Sequence, residues 1–170
     1  KAAHSDGTAV TDATNFSDWG EATVASTVQL EPGLWSLDNF GQVLVATIAN
    51  GKTFTWDAGG TLPLTTRAAT TTSGFATGNN PTATRASLIS PTTRHLIHLG
   101  TETTIGDPTT QDDMFIRFSD QEDINTYAPS VTNAAGTQRL QDGSRIIGSL
   151  KAKETILIWT DNALYTMKFI

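Results

Sequence analysis

Three carboxylates fall within four residues in the stretch Arg117-Phe-Ser-Asp-Gln-Glu-Asp123: Asp120, Glu122 and Asp123. Acids so crowded can ligate a hard cation through oxygen or divide general-acid and general-base roles between them. An EF-hand loop needs acids at alternate positions, a central glycine and a closing glutamate, and that spacing is absent here. A second use fits the same residues. Ser and Asp side chains accept hydrogen bonds from backbone N–H groups one to three residues on and so pin a turn. The word Phe-Ser-Asp also opens an earlier stretch, Asn15–Glu21. The favoured reading of Asp120, Glu122 and Asp123 is therefore a hairpin turn, with a bound cation as the competing one and no catalytic role.

The other candidates are weaker. Gly106–Met114 adds Asp107, Asp112 and Asp113, which could face Asp120 across a hairpin. His95 and His98 stand three apart in a strand-like run, where they point to opposite faces and cannot share a metal. Core or interface histidines are expected. The tryptophans Trp35, Trp56 and Trp159 lie on apolar segments and read as core packing, while Trp19 sits in the earlier turn word and could be exposed. No nucleophile elbow, phosphate-cradling glycine loop or dinucleotide fingerprint is present. Ser36 has no nearby histidine. No catalytic residue, cofactor or resident metal is nominated.

Composition narrows the class. The formal charge is −6, and charged residues make up only 16% of the chain. Without a basic run the chain is a poor candidate for tight duplex binding, which needs clustered Lys and Arg against phosphate. There is no cysteine, so disulfides and thiolate metal sites are out. No apolar stretch approaches the ~20 residues of a membrane span. The sequence opens on Lys1 and stops at Ile170 straight after an apolar run, so it reads as a piece of a longer polypeptide.

Helical periodicity is nearly absent and strand signals are frequent. Apolar or alternating runs occur at Gln42–Ile48, Lys52–Trp56, Arg94–Leu99, Met114–Phe118, Ser144–Leu150, Thr155–Thr160 and Ala163–Phe169. Ile124–Tyr127 reads as a further strand start. Asn50-Gly51 joins the first two runs as a hairpin whose two turn positions want positive φ, and Asp161-Asn162 joins the last two. The fold class is all-β. Aligned, the strands repeat over residues 30–57, 86–120 and 143–170, with Leu37/Leu44, Ile89/Leu96 and Leu150/Leu157 each 7 apart. Antiparallel units of three to four strands recurring every ~40–60 residues are the mark of β-propeller blades, so this single all-β region is expected to be part of a propeller. A meander or sandwich is the alternative. Thr65–Arg85, rich in Thr, Ala, Gly and Asn, reads as a long loop outside the core.

The acid turn resembles a degenerate Asp-box, with Asp123 standing where that motif has glycine and Tyr127 near its aromatic position. A broader resemblance spans Leu30 to Ile170. It rests on Trp35-Ser-Leu-Asp-Asn39 followed by Gly41, on Ser119-Asp-Gln-Glu-Asp123, on Asn133-x-Ala-Gly136-x-Gln138-Arg139-Leu140, and on the hairpin Trp159-Thr-Asp161-x-Ala163-Leu164-Tyr165. With these motifs the chain resembles large structural proteins of tailed-bacteriophage virions. The resemblance implies a propeller-type subunit of the tail, nozzle or hub, assembled in the bacterial host cytoplasm and without an active site. Its partners would be other copies of itself and neighbouring tail proteins. DNA would pass through a channel without specific binding. The alternative is a glycan-directed propeller, either a receptor-binding module or a glycosidase with carboxylates drawn from Asp38, Asp57, Asp120 and Glu122.

Overall fold

The computed structural model describes residues 34–57, the backbone of 69–70 and residues 80–168. It is all-β, with eleven strands and one 3-10 turn, Pro108–Thr110, among the described residues. The strands form three antiparallel sheets in chain order. The first sheet comprises β1 (Trp35–Phe40), β2 (Val43–Ile48), β3 (Thr53–Asp57) and β4 (Ala69–Thr70). The second comprises β5 (Thr84–Ile89), β6 (Leu96–Thr101), β7 (Phe115–Phe118) and β8 (Gly136–Arg139). The third comprises β9 (Ile146–Lys151), β10 (Ile156–Thr160) and β11 (Leu164–Met167). Each strand pairs with the next one along the chain, so every sheet is a meander.

The second sheet lies between the other two. All six residues of β6 are buried, which a strand achieves only when both faces of its sheet are covered. Its alternation divides the core. Ile97 and Leu99 join Leu88, Ile116, Ile156 and Ile158 on the side of the third sheet. Leu96 joins Val45, Ile89 and Tyr127 on the side of the first. One residue of slip in β6 would exchange these two sets, so register is set by both neighbours at once. Between the first and second sheets the contact is hydroxyl-lined: buried Thr47 Oγ1 meets Thr53 Oγ1 at 2.8 Å and Ser87 Oγ at 2.6 Å. Small polar residues there let β5 approach β1 and β2 closely.

Strand placement follows apolar alternation, and the corrections lie in the connections. Ile89 pairs with Leu96 and Leu150 with Leu157, but Leu37 pairs with Ala46 and Leu44 with Asn39. The spacing of seven therefore marks a cross-strand pair in two units. In the first, the two-residue turn at Gly41-Gln42 shifts the register. At Asn50-Gly51 only Asn50 takes positive φ, at 58°. Gly51 is needed for room, since a Cβ there would sit 2.6 Å from Ile48 Cγ2. Ile124–Tyr127 is irregular, not a strand. The expected loop Thr65–Arg85 contributes β4, which pairs with β3, and ends in buried Asn80, Ala83 and Thr84. Ala83 and Thr84 are small enough to pack at close strand contacts. Trp35 and Trp159 also depart from expectation: they stand 47% and 36% exposed, because they lie on the outward faces of the two outer sheets. The arm at residues 1–15, Trp19 and the turn word Asn15–Glu21 lie outside the described residues.

Candidate functional site

The acids that could do chemistry are distributed to separate corners. The stretch after β7 is no tight hairpin: residues 119–135 form the whole connection to β8. Ser119 extends the β6–β7 pairing through its N–H to Leu96 O at 2.9 Å, and its hydroxyl accepts from Leu96 N at 2.9 Å. Asp120 Oδ1 accepts from Gln121 N at 2.8 Å and from Ala134 N at 2.7 Å, closing the two ends of the connection on each other. Asp123 Oδ1 accepts from Asn125 N at 2.7 Å and its Oδ2 from Thr126 Oγ1 at 2.8 Å. Glu122 takes positive φ at 57° and faces Arg94 Nη1 at 3.3 Å. All three side chains are turned to backbone N–H groups, a hydroxyl or arginine.

The second acid group lies at the other end of β7. Asp107 caps the 3-10 turn by accepting from Thr109 N at 3.0 Å. Asp112 accepts from Met114 N at 2.9 Å and pairs with Arg139 Nε at 2.6 Å. Its carboxyl lies below the usual range: burial opposes this, but the Met114 N–H and Arg139 outweigh it. Asp113 pairs with Arg85 Nη1 at 2.8 Å. These acids do not meet Asp120, because successive connections of an antiparallel meander emerge at opposite ends. Among the described residues no group of three or more His, Asp or Glu side chains converges as a metal site. Asp120→Ala is expected to cost about 1–3 kcal/mol by orphaning Ala134 N–H. Thermal unfolding of the wild-type chain should be the same with calcium as with a chelator. A calcium-dependent rise in midpoint, lost in Asp120→Ala, would instead establish a cation site.

The four acids nominated for glycoside chemistry are also apart. Asp57 ends β3, while Asp120 and Glu122 lie in the β7–β8 connection. Asp38, on β1, has the most connected position. Its Oδ2 accepts from Ile89 N of β5 at 2.7 Å, its Oδ1 from Asn39 N at 2.9 Å, and both oxygens from Lys151 Nζ of β9 at 2.7 Å. One carboxylate thus ties the first strands of all three sheets. The cavity beside it, of about 400 Å³, is walled by the same three strands through Ser36–Asp38, Ala86–Leu88 and Ser149–Lys151, with none of the other three acids in its lining.

Glu102 and Arg117, which the sequence reading did not single out, join His98, read there as a core or interface histidine, in a buried polar set in the second sheet. Glu102, fully buried directly after β6, accepts from Thr82 N at 2.7 Å, Ala83 N at 2.6 Å, Gly106 N at 2.6 Å and the Thr82 hydroxyl. Arg117 is buried on β7 and donates to Glu102 O at 3.2 Å and Thr103 O at 3.0 Å. Burial lowers its pKa while the Glu102 carboxylate raises it. His98 lies across from Arg117 and shares a 3.0 Å hydrogen bond with the buried Tyr127 hydroxyl. Burial first, then Arg117, pushes its pKa down from 6.5 to about 3. Burial pushes Tyr127 well above 10. His95, just before β6, turns the other way to Ser119 O at 2.8 Å and packs edge-on to Phe118. The two histidines occupy opposite faces, as strand alternation requires. A neutral imidazole held in the core has no route to substrate.

Protein-family models, curated proteins and solved structures gave no match to this chain. The reading therefore rests on the geometry: carboxylates close turns, cap N–H groups or join sheets, and the set nominated for catalysis does not converge. No described helix is long and apolar enough to cross a membrane.

Proposed function

We propose that this chain is a structural, non-enzymatic component of a tailed-bacteriophage virion, a tail, nozzle or hub subunit whose copies associate into a ring. The observation that carries the reading is the junction at Asp38, where the first strands of three successive meanders meet. First strands gathered at one place, with sheets stacked face to face, are what a propeller-type subunit requires. The dispersal of the acids into corners supports a scaffold over a reaction centre. The resemblance of Leu30–Ile170 to virion structural proteins supplies the particle. In that setting the chain assembles in the bacterial host cytoplasm and ends in the virion, with neighbouring tail proteins as partners. A ring of subunits each carrying −6 would repel phosphate and let DNA pass without specific binding.

Native mass spectrometry with electron-microscope images of the purified chain tests this. A closed ring of copies that retains no DNA at physiological salt is the expected result. A monomer that binds an oligosaccharide saturably would replace this reading with a glycan-directed module.

A further inference from the structure

Among the described residues two glycines follow an asparagine or aspartate, in the pairs Asn50-Gly51 and Asp142-Gly143. In each pair the glycine amide nitrogen, unshielded by a β-carbon, follows a side-chain carbonyl at the spacing that closes a five-membered ring. The fold treats the two pairs differently. Gly51 N donates to Ile48 O at 3.0 Å, Gly51 O accepts from Thr84 N at 3.1 Å, and Asn50 Oδ1 accepts from Gln111 Nε2 at 3.2 Å. Both groups that would react are therefore engaged. Asp142 and Gly143 are exposed, in the connection from β8 to β9. The hydrogen bonds of Asp142 use its backbone: its N–H donates to Tyr165 Oη at 2.7 Å and its C=O accepts from Thr160 Oγ1 at 2.9 Å. Among the described residues no hydrogen bond or ion pair holds its carboxyl group or Gly143 N–H. Gly143 takes φ of 123°, a conformation open to glycine without strain.

We propose that Asp142-Gly143 is a site of spontaneous covalent modification in the folded chain, converted to isoaspartate through a succinimide, while the fold shields Asn50-Gly51 from the same chemistry. Gly143 N attacks Asp142 Cγ. The new N–Cγ bond replaces the Cγ–OH bond, and the amide proton leaves with the hydroxyl as water. Water then adds to one of the two ring carbonyls. Opening at the carbonyl derived from the main chain leaves Gly143 joined to the side-chain carboxyl, which is isoaspartate. Nothing is oxidised or reduced, water is the only co-reactant, and no enzyme or partner is needed. The product carries one extra methylene in the main chain. There is no room for it on the side of the β10–β11 turn: a Cβ on Gly143 would already lie 2.6 Å from Asp161 Oδ1 and 2.8 Å from Thr160 Cβ. Isomerisation thus displaces the Asp142 carbonyl from Thr160 Oγ1 and strains the neighbouring bond from Ser144 N to Asp161 Oδ1, 2.7 Å long. Both bonds fasten the β8–β9 connection to the third sheet.

The test ages the full chain at physiological temperature, folded in buffer and unfolded in urea. Peptide mass spectrometry with electron-transfer fragmentation then reads isoaspartate at each pair. Comparing the two rates at one site removes the intrinsic difference between Asn and Asp. At Asp142 the folded rate should lie within about threefold of the unfolded rate, because no hydrogen bond to a reacting group must open first. At Asn50 it should be slower by about tenfold or more, because the bonds at Gly51 and to Gln111 must open. Asp142→Glu should keep the wild-type urea midpoint and form no isomer at this position, since its ring would need six members. A folded rate at Asp142 more than about tenfold below the unfolded one, or equal suppression at both pairs, overturns the proposal. Isomer at the same rate in the glutamate variant would also overturn it, by placing the reaction at another residue.

Discussion

Glu102→Ala should cause the largest loss of stability of any single substitution in the second sheet, about 3–5 kcal/mol. The carboxylate is fully buried. Four donors lose their acceptor with it: Thr82 N, the Thr82 hydroxyl, Ala83 N and Gly106 N. Of these, Ala83 N–H is buried, and such a donor left unpaired costs about 1–3 kcal/mol. Arg117, buried nearby and facing the Glu102 charge, loses its counter-charge in the same step. Glu102→Gln separates shape from charge. It keeps the volume but turns an NH2 group toward a donor, so it should recover only part of the loss. Urea unfolding of the three chains reads the series. A loss below about 1 kcal/mol in the alanine variant would mean that water replaces the carboxylate, and hence that residues 80–84 are not fastened to the second sheet in this way.

The second large effect is acid sensitivity at His98. Its folded pKa of about 3 lies below the ordinary 6.5. Above pH 6.5 the side chain is neutral in both states and costs nothing. As pH falls from 6.5 toward 3, the unfolded chain takes up a proton that the folded chain refuses, so stability declines through that window and levels off below it. At 1.36 kcal/mol per unit the full decline is on the order of 5 kcal/mol. His98→Gln removes the titrating group while leaving a donor for Tyr127. It should be less stable than wild type at pH 7 by about 1–2 kcal/mol and should lose less between pH 6 and pH 4. Chemical denaturation across that range measures the difference. Parallel pH profiles for the two chains would show that His98 protonates freely in the folded state and is not enclosed.

Much of the fold was legible because its strands are patterned by burial. Runs such as Val43–Ile48 and Ile156–Thr160 alternate or are continuously apolar, and they stand where the sequence puts them. β8, Gly136–Arg139, was missed because it is a polar edge strand, with Thr137, Gln138 and Arg139 exposed. Its signal is steric: Gly136 lies against the Phe118 ring, where a Cβ would come 2.8 Å from Cε2. That contact belongs to tertiary structure and no local pattern carries it. The acid turn was read correctly as hydrogen-bonding chemistry and wrongly as a hairpin. Asp120 closes on Ala134, a partner that local spacing does not disclose.

The polar set around Glu102 had a weak signal. Leu96, His98 and Gly100 alternate along one face of β6, and Glu102 continues that parity just past the strand. An acid at an inward position calls for buried partners, but its donors come from Thr82, Ala83 and Gly106, which lie on two separate connections. The role of Asp38 was likewise invisible. Its partners Ile89 and Lys151 are 51 and 113 residues away, and a carboxylate on a strand is as easily read as a catalytic candidate as a tie between sheets.

A stack of three sheets joined at one carboxylate is tested most directly by residue-level amide hydrogen exchange in wild type and Asp38→Ala. Loss of the carboxylate orphans Ile89 N–H and frees Lys151, whose half-exposed ion pair adds little by itself. Faster exchange is expected at Ile89 in β5 and along β9 as well as in β1, with β6 still the slowest segment. Acceleration confined to β1, with Ile89 unchanged, would contradict the junction and with it the gathering of the three first strands.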